Sequence, residues 1–302
     1  MVVDTASFKA IYPFDSHWRE LDGTRMHYLD EGPENTADSK PDAAVVMIHG
    51  NPTWSFYYRN FVVAARASHR VIAPDHIGCG LSDKPQDYPY TLKQHTDNLE
   101  QLLEGLEIKR ITLVMHDWGG AIGMGYALRH PEKIAGFVVL NTAVFFPPRI
   151  PYRIKMCRIP GLGAVMVRGF NGFLRAALIF ATSKRKRFTR EVRAGYLAPY
   201  NSWRNRIAIH RFVQDIPLEA KHPTRDVVNA LEPGLAQFRA RPMLIFWGND
   251  DFCFTARDFL PHWKRHFPNA EVHTFDDAGH FVLEDAHEEI VPRSLEFFQE
   301  IR

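Results

Sequence analysis

Asp117 stands where a carboxylate can act as a nucleophile. The apolar run Ile111-Thr112-Leu113-Val114-Met115 leads into His116-Asp117-Trp118-Gly119-Gly120 and then into a helix-forming stretch. A sharp strand-to-helix turn needs small residues just after its apex, and the helix N-terminus that follows stabilises an anion there. Such an elbow commonly exposes a serine. A carboxylate in its place is already anionic at neutral pH and attacks carbon without a base to activate it. Met115 occupies the position where the pattern has its first glycine, a departure that a strand end can absorb. Taken alone, Asp117 also suits a simple helix N-cap.

Three further motifs follow strand-like runs in a fixed order. Ile48-His49-Gly50-Asn51-Pro52-Thr53-Trp54 follows an early one, where the backbone N–H groups of Asn51 and Trp118 can form an oxyanion hole. Phe246-Trp247-Gly248-Asn249-Asp250-Asp251 follows a late one and offers an orienting acid, Asp251, with Asp250 as the fallback. Asp277-Ala278-Gly279-His280 follows the last and offers the base, His280. His280 alone reads as a turn histidine and Asp251 alone as a loop residue. Together, the order nucleophile, acid, histidine is that of the α/β-hydrolases.

The elements that must hold these residues fit that order. Short apolar runs lie at 43–48, 70–73, 111–115, 136–140, 243–246 and 271–275, without strict alternation, as suits strands covered on both faces of a parallel sheet. Helical patterns lie between them, notably at 92–106, 119–129 and 284–301, so strands and helices alternate as in a doubly wound α/β fold. A hairpin with its turn at Asp22-Gly23 precedes them, and 30–41 is expected to be an exposed loop. From about Phe145 to Leu235 no strand is evident. The expected organisation is a core of about eight strands, residues 1–144 and 236–302, with a helical cap, 145–235, over the strand C-terminal edge where open α/β sheets bind ligands.

The segments His49-Gly50-Asn51-Pro52-Thr53, His116-Asp117-Trp118-Gly119-Gly120 and Asp277-Ala278-Gly279-His280-Phe281-Val282-Leu283-Glu284-Asp285 resemble the haloalkane dehalogenase family of α/β-hydrolases over nearly the whole chain. The resemblance implies that Asn51 and Trp118 clamp a departing halide. Their amide and indole N–H groups are suitable donors to an anion, although Trp118 also suits packing. One branch of that family carries its triad acid as glutamate after an earlier strand. The matching stretch here, Val139-Leu140-Asn141-Thr142, has none, so the resemblance points to Asp251 and to the third subfamily, which includes β-lactone decarboxylases of long-chain olefin formation. The stretches 75–85, 196–203 and 212–217 look particularly like those decarboxylases. The implied reaction is displacement by Asp117, an enzyme-bound alkyl ester, and its hydrolysis by water that His280 deprotonates, releasing halide and an alcohol. The alternative is opening of a β-lactone to give an olefin and carbon dioxide. The implied ligands are a small apolar substrate, haloalkane or β-lactone, and a halide ion.

Other readings compete. An epoxide hydrolase would need an acid such as Tyr152, Tyr196 or Tyr200, and Asn51 beside His49-Gly50 argues against it. A serine esterase is excluded by Asp117, and a binding protein on a hydrolase scaffold would have no need of a complete triad. The chain has 302 residues, 45% apolar and 24% charged, with a net charge of +2 that gives no reason to expect a nucleic-acid partner. Cys79, Cys157 and Cys253 are too scattered for a metal cluster. They suit free thiols in a reducing cytoplasm, and neither metal nor cofactor is expected. The N-terminus does not read as a signal peptide. Residues 161–182 approach a membrane span in composition, but Arg168, Asn171 and Arg175 favour an amphipathic helix. The basic run 184–193 reads as a solvated face or as a contact for an acidic partner or membrane surface. The aromatics Phe145, Phe146, Phe170, Phe173, Phe180 and Phe188 are candidates to line an apolar pocket.

Overall fold

The computed structural model describes residues 3–33, 41–146 and 150–301. Eight strands form one sheet in the order β1-β2-β4-β3-β5-β6-β7-β8. β1 (His17–Leu21) and β2 (Thr24–Glu31) make an antiparallel hairpin, and β2 pairs antiparallel with β4 (Val71–Pro74). The remaining neighbours, β3 (Ala43–Ile48), β5 (Arg110–His116), β6 (Ile134–Leu140), β7 (Met243–Gly248) and β8 (Glu271–Phe275), run parallel. The hairpin turn takes positive φ at Asp22 and Gly23, as its sequence predicts.

The unalternating runs have the expected cause. In β3, Val46 and Ile48 enter one core cluster while Val45 and Met47 enter the other. In β6, Phe137 and Val139 divide from Val138 and Leu140 in the same way. Both faces are covered, so every position along the strand is apolar. Residues of α2 (Leu92–Gly105), α3 (Trp118–Arg129) and α10 (Ala256–His266) belong to the first cluster. Those of α1 (Arg59–Ala65) and α11 (Val282–Glu300) belong to the second.

Between β6 and β7 the described residues form only helices and turns: α4 (Tyr152–Met156), α5 (Leu162–Ala164) continued by a π-helical turn (Val165–Gly169), α6 (Gly172–Phe180), α7 (Arg190–Leu197), α8 (Ile207–Gln214) and α9 (Thr224–Gly234). The single helix expected over 161–182 is broken. Asn171 takes a left-handed conformation (φ 54°), and the two halves meet at 68°. The expected loop at 30–41 also differs, because Asp30 and Glu31 complete β2. Residues 34–40 lie outside the described residues.

Candidate active site

Asp117 is the residue between β5 and α3, with φ 52° and ψ −126°. A non-glycine residue in this region is strained unless its surroundings hold it there. They do so on three sides. A Cβ on Gly119 would lie 2.0 Å from the Ile48 carbonyl oxygen, one on Gly120 2.0 Å from Thr142 Oγ1, and one on Gly50 2.1 Å from Asp117 Oδ1. The glycines of the two motifs are therefore what lets the 49–51 loop, the elbow and Thr142 approach one another. Thr142 Oγ1 donates to the Asp117 carbonyl oxygen.

The Asn51 backbone N–H donates to Asp117 Oδ1 at 2.6 Å. This leaves Oδ2 as the oxygen nearest the base, 3.5 Å from His280 Nε2. His280 Nδ1 lies 2.8 Å from Asp251 Oδ2. Asp251 is buried, and its Oδ1 accepts from the backbone N–H groups of Cys253 (2.7 Å) and Phe254 (2.9 Å). Asp250 points outward, and its carboxylate accepts from Ser183 Oγ at 2.8 Å. The structure thus joins Asp117, His280 and Asp251 and leaves the fallback acid outside the group.

Electrostatics follow from this arrangement. Burial alone would lower the His280 pKa, but Asp251 and Asp117 outweigh it and raise the value to about 10. Burial likewise opposes the charge on Asp251, and His280 with the two backbone donors brings its pKa below the usual carboxylate value. At neutral pH the resting site therefore holds an imidazolium between two carboxylates. Neighbouring His116 stays neutral, pushed down to about 3 by burial and by His280, and its Nε2 lies 2.8 Å from the His280 carbonyl oxygen. An imidazolium is no base, so His280 could take a proton from water only after its charge pairing with Asp117 is lost. Titrating the His280 ring by NMR should find the proton retained up to a pH of about 10, and Asp117→Asn should lower that point. An unchanged titration in the variant would contradict the charge pairing.

Asn141 has a part that sequence alone did not assign. The matching stretch pointed only to a missing acid. In the structure Asn141 donates through Nδ2 to Asp251 Oδ2 (2.9 Å) and to the Gly248 carbonyl (3.1 Å), and its Oδ1 accepts from Gly248 N (2.8 Å). Glu284 and Asp285, at the end of the histidine motif, were also unassigned. Asp285 accepts from Gly279 N, Ser183 N and Lys184 N, and Glu284 from Arg59 and Tyr196. Both acids tie the helical segment to the loop that carries His280.

A cavity of about 360 Å³ opens beside Asp117, lined by Asn51, Trp118, Cys253 and His280 and otherwise mainly by apolar side chains. Four of the six candidate aromatics line it: Phe145, Phe146, Phe173 and Phe180. Phe170 faces solvent, and Phe188 packs on Tyr196 and Phe281. From the 212–217 stretch, Val213, Ile216 and Pro217 line the cavity, while Phe212 packs against Trp118 with ring centroids 5.4 Å apart. None of the three tyrosines lines it. Tyr152 is exposed, Tyr196 donates to Glu284 at 2.6 Å, and Tyr200 donates to the Thr53 carbonyl at 3.2 Å. Asn51 Nδ2 donates to the Ile209 carbonyl at 3.2 Å, so one of its two amide hydrogens is already engaged. Asp75, from the 75–85 stretch, accepts from Ser55 N and Leu81 N and so braces the loop behind Asn51.

The model of the α/β hydrolase fold family matches residues 43–287. A cis-3-alkyl-4-alkyloxetan-2-one decarboxylase of Shewanella oneidensis is 47% identical over 296 residues, covering 96% of this chain and 90% of that one. One of Xanthomonas campestris is 43% identical, covering 92% and 93%. Among solved structures, a haloalkane dehalogenase from Bradyrhizobium elkani superposes with a TM-score of 0.82 at 27% identity, covering 95% of this chain and 98% of that one. The chain belongs to the α/β-hydrolase fold family, in the haloalkane dehalogenase group that also holds the oxetanone decarboxylases. It is an enzyme of that type.

Proposed function

We propose that the chain decarboxylates cis-3,4-dialkyl oxetan-2-ones, using Asp117 as nucleophile, His280 as its imidazole partner and Asp251 as the acid that orients it. The observation that carries this reading is identity of 47% and 43%, over nearly the whole chain, to two oxetanone decarboxylases. The apolar cavity beside Asp117 suits a substrate with two alkyl arms. In one course, Asp117 Oδ2 attacks the saturated ring carbon bonded to the ring oxygen, and the bond between that carbon and the ring oxygen breaks to leave a free carboxylate on the neighbouring carbon. The bond to that carboxylate then breaks, carbon dioxide leaves, and its electron pair forms the alkene as Asp117 is released as a carboxylate. In the resting site the imidazolium of His280 offsets the two carboxylates and favours approach of the anionic product of ring opening.

The second reading is haloalkane hydrolysis at the same site, releasing halide and an alcohol, and one observation favours it. The Trp118 side chain lines the cavity beside Asp117, and its indole N–H has no acceptor among the described residues. It is therefore available to a halide, with the remaining Asn51 amide hydrogen as second donor. Here esterification removes the charge of Asp117 from beside His280, the imidazolium gives its proton to solvent as the halide leaves, and the neutral ring then takes a proton from the attacking water. Asp117 Oδ1, already held by Asn51 N–H, takes the developing negative charge, with Trp118 N–H as the second backbone donor. Epoxide opening is disfavoured because no tyrosine lines the cavity among the described residues. We further propose that residues 1–144 and 236–302 form the catalytic core and 145–235 a cap. Three unpaired cysteines suit a reducing cytoplasm.

Trp118→Phe keeps the aromatic bulk and removes one donor. A hydrogen bond to a charged acceptor is worth about 1.5–3 kcal/mol, so bromoalkane turnover should fall roughly tenfold to a hundredfold. Asn51→Ala should cost bromoalkane turnover less, since it keeps the backbone N–H and removes a side chain half-engaged with Ile209. Oxetanone turnover releases no halide and should be spared in both. Wild-type enzyme that turns over a bromoalkane but leaves a cis-oxetan-2-one untouched would refute the decarboxylase reading.

A further inference from the structure

The sequence from 134 to 190 contains eleven lysines and arginines and not one aspartate or glutamate. In the folded chain this stretch also carries several exposed apolar side chains. Phe170 is 73% exposed and Tyr152 74%, and Ile159, Leu162, Val165 and Phe180 are each 44–46% exposed. Single exposed apolar residues need no explanation, but a patch of them does. The bent pair Leu162–Gly169 and Gly172–Phe180 is apolar and long enough, taken together, to pass for a membrane span. It does not stand as one, because Val167, Leu174 and Leu178 are buried in the protein core. Its inner side is thus bound to the protein, and its outer side presents hydrocarbon.

Cations share these helices. Lys155 and Arg175 are exposed and have no ion-pair partner among the described residues, whereas Arg158 is held by Glu219 and Lys184 by Asp277. The guanidinium of Arg153 lies 4.4 Å over the Phe180 ring. Arg153 and Phe180 are also exposed residues that line the cavity beside Asp117, so the cavity reaches the surface where α4 meets the end of α6. Apolar side chains beside unpaired cations match the boundary between acyl chains and anionic headgroups. A second copy of the chain fits poorly, since pairing the same face with itself would bring like charges together.

We propose that this face, built from α4, α5, the π-helical turn and α6, docks on an anionic bilayer surface and sets the cavity mouth against the hydrocarbon from which an alkyl substrate would enter. The docking does not depend on which ring or leaving group Asp117 attacks, and its test needs no turnover. The full chain is mixed with vesicles of phosphatidylcholine alone, or of phosphatidylcholine with an equal share of phosphatidylglycerol, and bound protein is measured by flotation. Wild-type protein should float with the anionic vesicles, far less with the neutral ones, and less as salt is raised. The triple variant Leu162→Ser/Val165→Ser/Phe170→Ser, whose residues do not line the cavity, should lose binding by roughly a hundredfold. Lys155→Glu/Arg175→Glu should lose roughly tenfold or more. Unchanged circular dichroism and melting temperature establish that both variants fold. Three results would overturn the proposal: wild-type protein that stays unbound, folded variants that float as wild type does, or a wild-type dimer that the variants dissociate while vesicle binding is absent.

Discussion

His280→Phe should convert the enzyme, with a bromoalkane, into a single-turnover reagent that keeps the alkyl group on the peptide carrying Asp117. The first displacement needs only the carboxylate, and Phe preserves an aromatic ring against Phe254, whose ring stacks on His280 with centroids 5.5 Å apart. The second step needs a base for water, and among the described residues no other histidine lines the cavity. His116 is the nearest, but its Nε2 is bound to the residue 280 carbonyl and its Nδ1 is buried without a partner. Steady-state turnover should fall by at least about a thousandfold, the scale on which loss of a triad base is felt. The adduct's mass equals the bromoalkane less hydrogen bromide. With a cis-oxetan-2-one the outcome should differ, because collapse to alkene and carbon dioxide consumes no water. His280→Phe should then retain more turnover on the oxetanone than on the bromoalkane, and little adduct should build up. No adduct with a bromoalkane that wild type hydrolyses would sink the covalent route or the role given to His280.

How much of this was legible in the residues depends on how local each cause is. The parallel sheet was legible because burial on both faces leaves its mark at every position of β6 and all but the first of β3. The elbow was legible because a turn that brings Gly50, Gly119 and Gly120 within contact of their neighbours tolerates no side chain there. The break at Asn171 was not, because nothing in the periodicity of 161–182 marks a left-handed residue inside an apolar run. The lining of the cavity was only partly legible. Phe170 and Phe173 are three residues apart in the sequence, yet the helix break turns one to solvent and the other to the cavity. Two of the six cations in the basic run 184–193 proved harder still to place from sequence, since Lys184 and Arg187 are spent on Asp277 and Glu288, remote in the chain. The supporting bonds of Asn141 belong to the same class, set by a strand neighbour more than a hundred residues away.

The choice between Asp250 and Asp251 rests on such a nonlocal cause, and it carries the other large expected effect. Asp251 Oδ1 faces two backbone N–H groups, and Oδ2 faces Asn141 Nδ2 and His280 Nδ1, so all four neighbours are donors. Asp251→Asn puts an NH2 group against one of these pairs. Turned toward Cys253 and Phe254, it opposes two donors that cannot move. Turned toward His280, it opposes Asn141 and forces the imidazole proton onto Nε2, the nitrogen that must stay free to accept a proton from water. The first orientation pushes the side chain off the turn that holds it, the second holds the ring in the wrong tautomer, and in both the imidazolium loses its counter-charge. Haloalkane hydrolysis should fall by roughly a thousandfold to ten-thousandfold, in the second step rather than the first. A quenched reaction should therefore show alkylated enzyme accumulating, and the pH at which His280 titrates should drop. Asp250→Asn should change turnover by less than about twofold, because that carboxylate is exposed and its one side-chain bond is to Ser183. A damaging Asp250→Asn beside a mild Asp251→Asn would mean that the orienting acid is the outer member of the pair, and that the buried carboxylate serves only to fold the turn after β7.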